Sequence, residues 1–125
     1  MIRATSDGVP YRVTFTDGRF AATSDTTAAK GGGDAGFGPH ELLEAALATC
    51  LTITLEKTAR QNGLPLERAG ATVQLDRGRP GEPVLTYELE MHGPLNDEQR
   101  RQLTEAAANC PVGKTLTGAI SVRPG

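Results

Sequence analysis

The patterning of this chain predicts an α+β fold. Three observations carry that reading: a period-two hairpin near the start, a long stretch that is apolar on nearly every helical face, and two alternating strands followed by helices instead of interleaved with them. At 125 residues the chain has the size of one domain, and residues 1–125 are read as a single unit of fold.

The elements follow in order. YRVTFT, residues 11–16, alternates apolar and polar, Asp17-Gly18 is a tight-turn signal, and RFAATSD supplies the returning strand. Residues 25–38, DTTAAKGGGDAGFG, hold five glycines and little to bury, which predicts an extended, mobile loop. A helix is expected from Pro39, favoured at the first helical position, to about Asn62, with Gly63 as its C-terminal cap and Pro65 preventing resumption. At about 100° per residue, Leu43, Ala46, Leu47, Cys50, Ile53 and Thr54 share one stripe, and Ala45, Ala48, Leu51 and Leu55 cover much of the rest. Only Glu44 is charged between positions 42 and 55. A helix apolar nearly all round is expected to be buried nearly all round.

GATVQLDR and VLTYELEMHG then read as antiparallel strands with one solvated face, joined by a turn around RGRPGEP. Asn96 is expected to cap a second helix whose first turn carries Asp97 and Glu98, where the dipole favours acids. Cys110 and Pro111 open a short helical turn that Gly118 ends, and AISVRP is expected as a last strand. No internal repeat is visible.

Composition excludes several classes of function. A formal charge of −2 and a pI near 5.7 argue against a nucleic-acid or anionic-membrane partner. No apolar run reaches the roughly 18 residues a membrane helix needs. The N-terminus lacks the apolar middle of a secretion signal. A cytoplasmic protein is expected, and there disulfides are usually transient and catalytic or redox-sensing. Aromatic residues make up only 4%, so a core of small side chains gains from subunit association.

The chemistry rests with Cys50 and Cys110. A lone cysteine on a buried helix is more often a small hydrophobe than a nucleophile. Zinc would need about four ligands, and Cys50, Cys110, His40 and His92 form no CxxC or HxxxH pair. No Gly-x-Ser-x-Gly elbow, phosphate-cradling glycine loop or paired-carboxylate signature competes with the thiols.

PHELLEAALATC, followed sixty residues later by CPVGKTL, resembles the OsmC/Ohr family, whose pattern is a P-x-E-L-L-x-A-A-L-A-x-C helix and a later C-P-V-S-K-type segment. The likeness extends over the hairpin, the glycine-rich loop, GLPLERAGATVQLDR and GPLNDEQRRQL. It implies an intertwined homodimer with long central Cys-bearing helices wrapped by β-sheets, and a thiol-dependent peroxidase for organic hydroperoxides. By the same resemblance Cys50 attacks the peroxide and becomes a sulfenic acid, Cys110 closes a disulfide with it, and an external dithiol, lipoyl-type in the Ohr branch, reduces that disulfide. No bound cofactor is implied. The alternatives are a non-catalytic dimer that binds a small apolar ligand at the subunit interface, and a structural protein with a redox-switchable disulfide.

Burial raises a thiol's pKa, so a buried nucleophile needs a compensating charge. The family takes it from an arginine of the N-terminal hairpin held by a carboxylate near the helix start. Arg19 is its nearest counterpart, with Arg12 and Lys57 as the other basic candidates. The acid's usual place directly after the proline is His40 here, and Glu41 follows one position later, turned by about 100° and lying about 180° from Cys50. Cys110 before Pro111 stands at the N-cap of its short helix, so dipole reasoning alone makes Cys110 the more acidic thiol.

Overall fold

The computed structural model describes all 125 residues. It runs β1 (Arg3–Ser6), β2 (Val13–Thr16), β3 (Ala21–Ser24), a 3-10 turn (Ala28–Lys30), α1 (Pro39–Asn62), β4 (Arg68–Asp76), β5 (Val84–His92), α2 (Asp97–Ala108) and α3 (Pro111–Thr117). The architecture is mixed α+β, and the chain divides into two compact units, Met1–Leu43 and Glu44–Gly125.

In the first unit β1, β2 and β3 form an antiparallel meander, so the predicted hairpin gains a third strand from residues 3–6. Asp17 builds the β2–β3 turn: its Oδ1 accepts the amides of Arg19 and Phe20, both at 2.8 Å. The amides of Phe20 and Arg19 hold its carboxyl below the usual range.

The glycine-rich stretch is not the extended loop its composition predicts. It closes on Asp25, whose carboxylate accepts the amides of Thr26 at 2.7 Å and of Gly33 and Ala35 at 3.1 Å. Ser24 bridges to Phe37 and fastens the other end. Two glycines are needed for close backbone approach: a Cβ on Gly32 would stand 2.1 Å from the Thr26 carbonyl oxygen, and one on Gly36 2.1 Å from that of Thr23.

α1 has the predicted bounds. Glu41 Oε1 accepts the Gly38 amide at 3.0 Å at its start, and Gly63 adopts φ 62° just past its end, where a left-handed residue is required.

The second unit holds the core. Leu47, Leu51, Leu55 and Ala59 project from α1 at four-residue intervals and pack with Leu103 and Ala107 of α2 and with Cys110. This buried line differs from the predicted stripe: Leu43 and Ile53 are 44% and 62% exposed, because packing follows the i, i+4 ridge of α1 and leaves its other faces uncovered in a single chain. Glu44 Oε1 accepts the Leu75 amide of β4 at 2.7 Å, which accounts for the one charge in that apolar stretch.

β4 and β5 pair antiparallel over their full lengths. Asn96 caps α2 in a reciprocal capping box with Gln99. Residues 119–125 form no strand. AISVRP has the alternation but pairs with no strand edge, and strand structure requires a ladder partner.

Candidate functional site

The path that brings the two cysteines together begins at the end of α2. The chain turns at Asn109, and the Cys110 amide still bonds to the Ala107 carbonyl at 3.0 Å. Cys110 takes the extended backbone of an N-cap, and Pro111 starts α3 without an amide to satisfy. The next two amides both point at sulfur. Val112 N–H donates to Cys50 Sγ at 3.4 Å, and Gly113 N–H donates to Cys110 Sγ at 3.3 Å.

Both thiols are free. Cys50 is half-buried on α1, whereas Cys110 is 1% exposed. The two cysteines sixty residues apart thus pack in one apolar cluster at the start of α3.

Burial pushes the Cys110 thiol up, and the neighbouring Cys50 adds to that shift, while the Gly113 amide opposes both and is outweighed. This corrects the dipole expectation. Position at a helix N-terminus does not make Cys110 the acidic thiol, because removing it from water costs its thiolate more than one amide returns.

Arg19 and Glu41 belong to the Met1–Leu43 unit. Arg19 is exposed, its guanidinium lies 5.0 Å above the Phe20 ring, and it makes no ion pair. Arg12 is committed, with Nε 2.6 Å from Asp7 Oδ2. Glu41 is spent on the Gly38 amide, and His40 is exposed. Lys57 is exposed on α1, with no carboxylate in ion-pair range. Sequence reasoning missed the amides of Val112 and Gly113; the signal for them was the Cys-Pro pair, which sets an N-cap and frees the following amides. No three His, Cys, Asp or Glu side chains gather as a metal site would need.

Residues 31–124 match the family model for OsmC-like protein. Among solved structures, the chain is similar to an OsmC like protein from Mycoplasma pneumoniae, at 23% identity and TM-score 0.77, over 94% of this chain and 86% of that one. It is also similar to an organic hydroperoxide resistance protein OsmC from Legionella pneumophila, at 22% identity and TM-score 0.66, over 94% and 88% of the two chains. The organic hydroperoxide resistance protein OhrB of Bacillus subtilis matches at 24% identity and TM-score 0.63, over 94% and 91%. No curated protein matches the chain.

Proposed function

The chain belongs to the OsmC-like protein family, and from that premise we propose that it is a thiol-dependent peroxidase for organic hydroperoxides. The observation that carries the reading is the pair of free thiols in one apolar cluster, each sulfur accepting an amide from the first turn of α3.

Cys50 as thiolate attacks one oxygen of the hydroperoxide. The O–O bond breaks, the alkoxide takes a proton and leaves as an alcohol, and Cys50 becomes a sulfenic acid. Cys110 then attacks the Cys50 sulfur, water departs, and a disulfide closes. An external dithiol of lipoyl type reopens it by exchange. The raised Cys110 pKa supports this division of labour: Cys110 holds its proton more tightly, while the Val112 amide is aimed at the sulfur that must carry charge. Arg19 is the favoured cation because Arg12 is already paired with Asp7. Glu41 serves the start of α1 and, in this reading, contributes only indirectly.

The working form is a homodimer in a reducing, cytoplasmic setting. A second copy would cover Ile53 and the groove of about 370 Å³ lined by Ala48, Thr49, Thr52, Ile53, Gly70 and Ala71. That same groove favours the second reading, a non-catalytic dimer that holds a small apolar ligand.

Thiol titration separates the two. Reduced protein given cumene hydroperoxide is expected to lose two thiols per chain; Cys50→Ser loses peroxide consumption altogether, and Cys110→Ser performs one turnover and leaves a sulfenic acid that dimedone traps. Two unreacted thiols after exposure would leave the binding module standing.

A further inference from the structure

Gly113 is the third residue of α3, where alanine would be the better helix former. Its φ lies outside the left-handed region, so the backbone does not demand glycine. The space beside it is tight. A Cβ there would stand 3.0 Å from Cys110 Sγ and 3.8 Å from Leu47 Cδ1. The sulfur is fully buried within the cluster that holds Leu47, Leu103 and Ala107, so a carbon at 3.0 Å can be relieved only by moving it within that packing.

We propose that Gly113 is a positioning residue for Cys110: the absent side chain seats the sulfur against the Gly113 amide and so sets how readily Cys110 resolves the Cys50 sulfenic acid. This rests on the peroxidase reading and deepens it by naming what governs the second chemical step. In that step the Cys110 thiolate attacks Cys50 sulfur, the S–S bond forms and the S–O bond breaks. Cys110 is oxidised, the sulfenic sulfur is reduced, and hydroxide leaves with the proton that Cys110 gave up, as water.

The Gly113 amide is the one group that favours the Cys110 thiolate. The titratable group acting on Cys110 is Cys50 from α1; α2 presents Leu103 and Ala107 to the cluster, and α3 presents the Val112 and Gly113 amides. A Cβ that pushes the sulfur off its amide therefore raises the pKa of Cys110 and lowers its thiolate fraction at neutral pH.

Gly113→Ala and Gly113→Ser test this in the full-length protein. Both variants are given cumene hydroperoxide in single turnover. Disulfide closure, followed by quenching and mass spectrometry, is expected to slow about tenfold at neutral pH, with its pH profile displaced upward by about one unit. The second arm needs no peroxide: in a Cys50→Ser background, ultraviolet titration of Cys110 should show the same upward displacement on Gly113→Ala. An unchanged Cys110 titration overturns the proposal. Because that arm reads Cys110 directly, it decides the proposal whether or not the wild-type chain turns over peroxide.

Discussion

Cys110 and Cys50 meet under different constraints, one fully buried and proton-retaining, the other half-buried beneath the Val112 amide. The sign of the pH dependence follows. A thiol whose pKa is raised is mostly protonated at neutral pH, so its thiolate fraction grows about tenfold per unit until the raised value is reached. Disulfide closure should therefore accelerate with rising pH beyond the ordinary thiol range, which quench-flow measurement of the closing step would check. The proposed first step calls for a basic side chain to stabilise the thiolate. Arg19→Met is expected to lower the second-order rate with an alkyl hydroperoxide by about tenfold or more, and Arg12→Met by much less. A larger loss from Arg12 would move the role to that residue.

At the scale of elements, the closed loop between β3 and α1 depends on one carboxylate. The amide of Thr26, joined by those of Ala35 and Gly33, holds Asp25 below its ordinary pKa. A depressed folded pKa stabilises above about pH 4 and loses that contribution as pH falls through the lowered value. Asp25→Asn is expected to speed proteolytic cutting within residues 26–36 at neutral pH, and the difference from the parent should shrink on acidification. Equal cutting at neutral pH would show that Ser24 and Phe37 close the loop unaided. This loop also shows which parts of the fold were legible beforehand. α1 was readable to the residue because Pro39, Gly63 and Pro65 are local signals, and Asn96 likewise announced α2. The closing of 25–38 was not, since an aspartate gathering amides up to ten positions away leaves no local pattern. AISVRP failed for the same reason in reverse: its alternation is local, but a strand exists only where another edge receives it. For the site, the meeting of the two cysteines followed from the two motifs, whereas the amides beneath them needed the backbone of α3.

For the whole molecule, the central question is what covers α1. Its packed line of Leu47, Leu51, Leu55 and Ala59 leaves Ile53 largely in water, beside a groove of small side chains. Exposed apolar surface of this kind on a helix is characteristic of an association face. In the proposed dimer, Ile53→Asp is expected to shift sedimentation from dimer to monomer, and a variant that stays dimeric would place the contact elsewhere. The start of α3 has a consequence of its own. Consecutive amides there rest on sulfur, and a sulfur drawn into a disulfide is a poorer acceptor than a thiolate. In the proposed peroxidase cycle, closing the disulfide would thus slacken the first turn of α3 at the very place the reductant must reach.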